Sequence, residues 1–286
     1  MTFSSPAAPV GQRYARVLSI AGSDSGGGAG IQADLKTFSA LGCYGMTAIT
    51  ALTAQNTCGV RAIHPTPPEF LQAQIDAVVE DIGVDAVKIG MLHSPETVRV
   101  VAAALRRHRL RHVVLDPVMV ATSGDRLMAE GTVGVLVREL FPLAEVVTPN
   151  LDEAAWLLGR PLAEGAALDA AATDLLALGA PAMLLKGGHL PGDQVVDVLA
   201  RSDGLRQRFA SPRIPSPNVH GTGCTLSSAI AAHLALGLDL PQAVAQARAY
   251  ILGAIAAGAG VQTGQGHGPL NHGFAPVAQH VRPCTA

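Results

Sequence analysis

Short apolar segments of strand length alternate along the chain with longer segments in which apolar residues recur every three or four positions. The second pattern is typical of helices that bury one face, and Leu71, Ile75 and Val78 show it within a helix predicted over 70–81. The pattern predicts further helices over 30–41, 94–108, 224–236 and 240–257, strands over 17–20, 46–54, 85–89, 112–115, 145–147 and 182–185, and an edge hairpin over 195–200 and 207–209. This alternation predicts an α/β fold whose mostly parallel central sheet is covered by helices on both faces.

The chain reads as one domain, because no stretch between the predicted elements is rich enough in Pro, Gly or Ser to act as a linker. We expect a flexible N-terminal tail over 1–14, a single α/β domain over 15–275 and a C-terminal tail over 276–286. The first ten residues lack the charged start and the apolar run of a signal peptide. No apolar run is long enough to span a membrane, so we expect no membrane partner.

Composition narrows the class of protein further. Hydrophobic residues make up 49% of the 286 residues and charged residues 15%, which supplies a large core and argues against a disordered chain. A net charge of −2 offers no electrostatic basis for binding nucleic acid. Cys43, Cys58, Cys224 and Cys284 are too widely separated in sequence to form a metal-binding pair. Free thiols in a reducing compartment are therefore expected, which favours a cytoplasmic location.

A glycine-rich turn at 217–225, with the sequence PNVHGTGCT, carries the most specific chemistry in the chain. It leads into the helix predicted from Cys224, so several backbone N–H groups lack partners there and point toward one position. Together with the helix dipole, these groups favour an anion such as a phosphate. The same field is expected to favour the thiolate form of Cys224. A glycine turn before a helix is also common in a purely structural role, and the cysteine at the helix start is what favours function.

Polar residues follow several of the predicted strands. Asp116, Asn150 and Lys186 each come directly after an apolar run, at its carboxyl end. A single residue of this kind is usually a turn residue or a helix cap. Because ligands of open α/β sheets bind at this edge, the three residues and the glycine turn together predict one binding site.

Ordered motifs extend over 17–272, which is nearly the whole chain. They are AGSDSGGGAGIQADLKT at 21–37, YGM at 44–46, ITALTAQNT at 49–57, KIGM at 88–91, DPVM at 116–119, TPN at 148–150 with Glu153, KGGH at 186–189, the turn at 217–225 and GHGPLNH at 266–272. Together they closely resemble the hydroxymethylpyrimidine/phosphomethylpyrimidine kinases of thiamine biosynthesis, members of the ribokinase-like superfamily. The resemblance implies a ribokinase-like single domain.

The resemblance also implies an activity and a small-molecule substrate. The expected reaction is phosphorylation by ATP of 4-amino-5-hydroxymethyl-2-methylpyrimidine to its monophosphate and then to the diphosphate. By similarity, Asp34 and Gln55 hold the polar edge of the pyrimidine, whose adjacent donors and acceptors a carboxylate and an amide can match. Backbone around Gly22 and Thr53 and the side chain of Met91 complete the implied pocket. Without the motif, Asp34 would be read as a solvated helix carboxylate, Gln55 as a loop residue and Met91 as a core residue.

On the phosphate side, the resemblance implies ATP and Mg²⁺ as cofactors. Phosphoryl transfer depends mainly on positioning and on neutralising charge, which backbone N–H groups and a metal ion supply. Mg²⁺ keeps much of its water shell, so few protein ligands suffice. The implied assignments are Gly221, Thr222, Gly223 and Cys224 for the transferred group, with Cys224 as candidate general base; Asn150, Lys186, Gly188 and Thr222 for the nucleotide; and Asp116 and Glu153 for the metal through water. The segment 121–125 is a candidate flap, and a homodimer is also implied.

Three other functions are compatible with parts of the sequence. A pyridoxal or pyridoxine kinase is the nearest alternative, because it also phosphorylates a CH₂OH group on a ring; the long match at 22–37 favours the thiamine precursor. A cysteine hydrolase would use Cys224 with His189 or His220, but it would leave the TPN and glycine-turn motifs unexplained. A non-catalytic pyrimidine-binding module would leave the metal and phosphate residues without a purpose.

Overall fold

A computed structural model of the chain describes residues 11–120, 127–129, 131–162, 168–188 and 190–284. The strands are β1 (Gln12–Tyr14), β2 (Arg16–Ala21), β3 (Tyr44–Ile49), β4 (Ala51–Asn56), β5 (Gly59–Pro65), β6 (Ala86–Ile89), β7 (Val113–Leu115), β8 (Val146–Val147), β9 (Ala182–Leu185), β10 (Gln194–Arg201), β11 (Arg206–Pro212) and β12 (Val281–Pro283). The helices are α1 (Gly30–Ala40), α2 (Pro68–Asp81), α3 (Pro95–Arg107), α4 (Thr132–Glu139), α5 (Leu151–Leu158), α6 (Leu168–Leu176), α7 (Thr222–Ala235) and α8 (Leu240–Gly258).

Eight of these strands form the central sheet, in the order β11-β10-β9-β8-β7-β6-β2-β3. The neighbours from β3 to β9 pair in parallel, and β10 runs antiparallel to both β9 and β11. The mostly parallel sheet and the antiparallel edge hairpin predicted from the sequence are therefore confirmed.

Side chains from alternate positions of each strand enter two different cores. Leu18 and Val87 belong to the core under α2, α3, α4 and α6, whereas Val17 and Ala86 belong to the core under α1, α7 and α8. A strand that is apolar on both faces must be covered on both faces, and helices supply that cover. This confirms the predicted arrangement of layers.

The strand predicted over 46–54 is two strands in two different sheets. β3 lies at the edge of the central sheet, whereas β4 pairs antiparallel with β5 in a separate two-stranded sheet. The chain turns away at Thr50, whose hydroxyl donates to the Met91 carbonyl at 2.8 Å and whose N–H donates to the Ala21 carbonyl at 3.0 Å. The continuous apolar pattern hides this change of sheet.

The first and last described strands lie in segments that the sequence analysis assigns to tails. β1 pairs antiparallel with β12, with Gln12 opposite Pro283 and Tyr14 opposite Val281. The chain is therefore ordered at both of these places, although neither strand carries an apolar pattern that would reveal it. The domain limits themselves stay a prediction. Within the described residues, no helix is both long enough and apolar enough to cross a lipid bilayer.

Candidate active site

The residues predicted at strand ends lie together at the carboxyl edge of the central sheet. Asp116 follows β7, Asn150 lies beyond β8, and Lys186 follows β9. Asn150 and Lys186 form an isolated parallel bridge, and the Lys186 ammonium lies 2.8 Å from the Asp116 carboxylate. The three residues therefore lie together at one edge of the sheet, and their function as one binding site stays a prediction.

Asp116 is the buried acid of the site. Its side chain is 2% exposed and accepts hydrogen bonds from Lys186 at 2.8 Å and from the Thr148 hydroxyl at 3.0 Å. Burial works against its charge, but Lys186 and Lys88 outweigh burial and hold the pKa of Asp116 below its ordinary value. Burial likewise opposes the charge of Lys186, yet Asp116 and Glu153 raise its pKa. The pair is therefore ionised at neutral pH.

Asn150 and Glu153 form a capping box at the start of α5. The Asn150 side chain accepts from the Glu153 N–H at 2.9 Å, and the Glu153 carboxylate accepts from the Asn150 N–H at 2.8 Å. Burial raises the pKa of Glu153 to about 7; Asp116 adds to the rise, and Lys186 opposes it. A further positive charge nearby would therefore stabilise the ionised form of Glu153.

These two acids fit a magnesium ion. Asp116 and Glu153 supply hard oxygen donors, and Lys186 neutralises only part of their charge. A hard divalent cation prefers such oxygens and retains several waters. The fit rests on the donor types and on the raised pKa of Glu153.

The glycine-rich turn lies directly beside this charged group. Gly221 is the N-cap of α7 and has φ +87°, a conformation that favours glycine. A Cβ on Gly223 would lie 3.3 Å from the Lys186 ammonium and 3.4 Å from an Asp116 oxygen. The start of α7 thus lies against the Asp116–Lys186 pair, and free N–H groups at a helix start favour an anion.

A second glycine-rich segment, 22–30, faces the first one. Its centre is Asp24, whose carboxylate accepts from the N–H groups of Gly26 at 2.8 Å, Gly28 at 3.1 Å and Ala29 at 2.9 Å. His220 donates to the same carboxylate at 2.8 Å. A Cβ on Gly221 would collide with the Gly28 carbonyl, so the two turns are in backbone contact. Sequence reasoning missed this link, although the motifs at 21–37 and 217–225 contain both partners.

The predicted thiolate character of Cys224 is wrong. The residue is half-buried in the first turn of α7. Burial raises the pKa of the Cys224 thiol to about 11, and the opposing effects of Lys88 and the Gly30 N–H are too weak to prevent this. Asp34 and Asp116 add to the rise. The sequence reveals the helix start but not the neighbouring carboxylates or the burial.

Four of the residues predicted to bind substrate lie around the β2 end and the β4 strand. Thr53 donates through its hydroxyl to the Ser23 carbonyl at 2.7 Å and to the Gln55 amide oxygen at 3.2 Å. A Cβ on Gly22 would collide with the Met91 methyl group, so that side chain lies over the Gly22 backbone. Gly22, Thr53, Gln55 and Met91 are thus adjacent to one another through these contacts.

Asp34 does not share this position. Its side chain is fully buried, and its oxygens accept from Lys88 at 2.8 and 2.9 Å, from Ser19 at 2.5 Å and from Ser228 at 2.6 Å. This geometry is at odds with the implied contact between Asp34 and the pyrimidine, because protein donors already occupy both oxygens. Lys88 is the partner that sequence reasoning missed; the available signal is a lysine inside the four-residue apolar strand β6.

Three other observations complete the survey of predicted residues. The candidate flap 121–125 and His189 lie outside the described residues. Gly188 is described, and a Cβ there would meet no atom within 4 Å in the part of the chain that the structure describes. A cluster of possible metal donors lies on α2 and at the end of α3, and it consists of Asp76, Glu80 and His108. However, the Arg107 guanidinium donates to the Asp76 carboxylate, and its positive charge opposes the binding of a cation.

The sequence model of the protein family described as phosphomethylpyrimidine kinase matches residues 24–271 of this chain. The chain belongs to this family. It is 55% identical over 256 residues to the hydroxymethylpyrimidine/phosphomethylpyrimidine kinase of Rhizobium meliloti, covering 89% of this chain and 96% of the relative. It is 54% identical over 267 residues to the thiamine biosynthesis bifunctional protein ThiED of Geobacter sulfurreducens, covering 93% of this chain but only 53% of that protein. The chain is thus a phosphotransferase that spans about half of the bifunctional relative.

Solved structures of two family relatives have the same fold. The pyridoxal kinase of Bacillus subtilis, in an ADP complex, superposes with a TM-score of 0.84 at 36% identity, covering 92% of this chain and 98% of that one. The phosphomethylpyrimidine kinase of Clostridium difficile superposes with a TM-score of 0.74 at 43% identity, covering 84% and 99%. The fold of this family member is therefore ribokinase-like, as the sequence resemblance implies.

Proposed function

We propose that this kinase transfers the γ-phosphoryl group of ATP to the hydroxymethyl group of 4-amino-5-hydroxymethyl-2-methylpyrimidine, and then transfers a second phosphoryl group to the monophosphate. The observation that carries the proposal is the contact between the two glycine-rich turns beside the Asp116–Lys186 pair. One turn belongs to the sequence match for the pyrimidine, and the other opens the helix that suits a phosphate. The acceptor and the phosphates are thus brought to one place.

The phosphates of ATP bind where α7 begins. The N–H groups of Gly221, Thr222, Gly223 and Cys224 receive the negative charge of the transferred group, and the Lys186 ammonium lies close to Gly223. Asn150 and Gly188 follow the neighbouring strands and belong to the nucleotide side. Since the transferred group carries charge on three oxygens, this cluster of donors lowers the barrier mainly by electrostatic stabilisation.

Asp116 and Glu153 hold Mg²⁺ through water on the same side. An ion held there would neutralise part of the phosphate charge. Asn150 fixes the orientation of Glu153 through the reciprocal capping box. Lys186 balances Asp116 and keeps that acid ionised at neutral pH.

Cys224 takes the proton of the substrate alcohol as the alcohol oxygen attacks the γ-phosphorus of ATP. The thiol lies in the first turn of α7, beside the junction of the two turns, where the alcohol and the phosphates meet. Because its pKa is about 11, only a small fraction is thiolate at neutral pH. The second transfer needs no such base, since the attacking oxygen of the monophosphate is already anionic.

Gln55, Thr53, Gly22 and Met91 bind the pyrimidine. The Gln55 amide oxygen already accepts from Thr53 at 3.2 Å, which orients the amide toward a ring with paired donors and acceptors. Met91 packs over the Gly22 backbone and offers an apolar surface to the ring. Asp34 is left out of this set because its oxygens are occupied.

Pyridoxal is a second candidate substrate. The likeness of the whole fold to a pyridoxal kinase favours it, and pyridoxal also presents a CH₂OH group on a six-membered nitrogen heterocycle. The same turns and the same base would serve both alcohols. Pyridoxal phosphorylation is proposed as a side reaction.

The protein acts in the cytoplasm as a homodimer. Its four cysteines are free, as a reducing compartment requires. Leu52 on β4 and Phe70 in α2 are 51% and 61% exposed, which offers apolar surface for contact with a second copy. Light scattering of the purified protein measures the mass: twice the chain mass of 29.3 kDa supports the dimer, and the chain mass itself rejects it.

A coupled assay of ADP release tests the reaction itself. The pyrimidine alcohol, its monophosphate and pyridoxal are supplied separately with ATP and Mg²⁺, and product masses are recorded. Turnover of both pyrimidines, each gaining one phosphoryl group, is the expected result. Turnover of pyridoxal alone would assign the alternative activity, and ester cleavage without ATP would assign a hydrolase.

A further inference from the structure

Asp34 and Lys88 form an ion pair with no exposed surface on either side chain. The Lys88 ammonium lies 2.8 and 2.9 Å from the two Asp34 oxygens. The hydroxyl groups of Ser19 and Ser228 also donate to this carboxylate, at 2.5 and 2.6 Å. The cluster therefore joins β2, β6, α1 and α7 through one anion. None of its members has a role in binding ATP or the pyrimidine in the proposed reaction.

The cluster lies one helical turn away from the start of α7, where the glycine-rich turn at 217–225 ends. Asp34 follows Gly30 by four residues on α1, and Ser228 follows Cys224 by four residues on α7, so each pair shares one helix face. Ser228 donates to Asp34 at 2.6 Å and so joins the two packed helices α7 and α1. The buried carboxylate is thus held against α7 one turn beyond the thiol.

The ion pair also determines the charge that Cys224 faces. Lys88 from β6 and Lys186 beyond β9 attract a thiolate, whereas Asp34 from α1 and Asp116 beyond β7 repel it. A Cβ on Gly90 would lie 2.9 Å from the Lys88 ammonium, so the glycine leaves room for this cation. The two charges of the pair act on the sulfur in opposite directions.

We propose that Asp34 and Lys88 are positioning residues of the kinase, which hold Cys224 between α1 and α7 and set the charge around it. This inference rests on the proposed function in one respect, which is that Cys224 takes the alcohol proton. In it, Asp34 acts through Cys224 and does not contact the pyrimidine.

The test measures the reactivity of Cys224 directly. Iodoacetamide alkylation is followed at pH 8.5 by mass spectrometry of the peptide that contains Cys224, with the exposed Cys58 and Cys284 as internal references. The variants are Asp34→Asn, which keeps the shape of the side chain, and the double variant Asp34→Asn/Lys88→Met, which leaves no unpaired charge. Asp85→Asn is the control. It removes a carboxylate that pairs with Arg16 and directly precedes β6, the strand that carries Lys88.

Asp34→Asn should raise the alkylation rate of Cys224 about tenfold, since one pKa unit changes the thiolate fraction tenfold. Adding Lys88→Met should lower the rate again by about the same factor, and the control should match the parent. Loosened packing would instead raise the rate in both variants. Rates that rise together, or that stay at the parental value, overturn the proposal.

Ser228→Ala keeps the test decisive if the charge variants do not fold. It removes one donor from Asp34 without changing a charge, so the carboxylate repels the thiolate more strongly and alkylation should slow. An unchanged or faster alkylation would contradict the proposal. Activity is measured separately on Cys224→Ala: if that variant retains full alcohol turnover, Cys224 is not the base, yet the alkylation results still decide whether the pair controls the thiol.

Discussion

His220 donates a hydrogen bond of 2.8 Å to Asp24 and so joins the two glycine-rich turns of the site. Asp24 holds the backbone of 26–29 through three N–H groups, and His220 directly precedes the N-cap of α7. This contact therefore helps to fix the distance between the two turns, together with their backbone contact at Gly221 and Gly28. Phosphoryl transfer depends on such positioning.

Asp24→Asn should destabilise the protein at neutral pH by about 1–3 kcal/mol, because hydrogen bonds to a buried charge are lost. Burial opposes the ionisation of Asp24, but His220 and the N–H groups of Ala29 and Gly26 outweigh burial and lower its pKa. A depressed pKa contributes stability above the unfolded value of about 3.9, and this is lost as the pH falls through the folded value. The free energies of unfolding in urea of parent and variant should begin to converge as the pH falls below about 4, and should agree once the pH lies below the folded pKa of Asp24. A difference independent of pH would contradict the assignment.

Gly221→Ala should lower both stability and turnover more than Gly131→Ala. Both glycines are left-handed N-caps, with φ +87° for Gly221 and +77° for Gly131, so both variants carry the same backbone cost of about 1–2 kcal/mol. The Cβ at 221 would collide with the Gly28 carbonyl, whereas the one at 131 would meet no atom of the described residues within 4 Å. Thermal unfolding and kcat measure the difference, and equal effects would mean that the turns need not touch.

Cys224→Ala should slow phosphorylation of the alcohol by roughly 10²–10⁴-fold, the usual contribution of a general base. Phosphorylation of the monophosphate should fall much less, because its attacking oxygen is already ionised. In the parent, the alcohol rate should increase with pH between 7 and 9, since the thiol pKa of about 11 lies above this range. Parallel losses in both steps would instead assign Cys224 to the shape of the turn.

Gln55→Ala should weaken binding of the pyrimidine alcohol by about 1–3 kcal/mol while the KM for ATP stays unchanged. Asp34→Ala should behave differently, with a loss of stability of about 3–5 kcal/mol, because it leaves the buried Lys88 charge without its partner. Substrate kinetics and urea unfolding of both variants separate the two effects. An Asp34→Ala protein of normal stability but weakened pyrimidine binding would restore the direct contact.

Glu153→Gln should raise the magnesium concentration needed for half-maximal rate and lower kcat, with little change in the KM for the pyrimidine. The amide keeps an acceptor for the Asn150 N–H, so the helix start is retained while the charge is lost. Magnesium titration of the initial rate makes the comparison. A titration curve that matches the parent would reduce Glu153 to a helix-capping residue.

Local signals in the sequence predict local structure well here. Ser94, expected as an N-cap, accepts from the Thr97 N–H at 3.3 Å, and α3 begins at Pro95. The strand ends at Asp116 and Lys186 also lie where the apolar runs predict, because parallel strands must place their carboxyl ends at one edge. Such features depend on a few neighbouring residues.

Features that depend on distant partners could not be predicted. The burial of Asp34 follows from Lys88, which lies 54 positions away, and from Ser228, which lies 194 positions away. The sign of the Cys224 pKa shift depends on how closely these elements enclose the sulfur. Likewise, nothing near Thr50 shows that the chain leaves the central sheet, since its partners are distant in sequence: Ala21 ends β2, and Met91 follows β6.

The contact between Asp24 and His220 spans 196 positions of sequence, and this has a consequence for how the protein becomes active during synthesis. Domains begin to fold while the chain is still growing, from the N-terminal end. A growing chain that already contains the segment 22–30 still lacks α7, and with it the backbone N–H groups proposed to receive the phosphates. We therefore expect no turnover of ATP before α7, Thr222–Ala235, has been made.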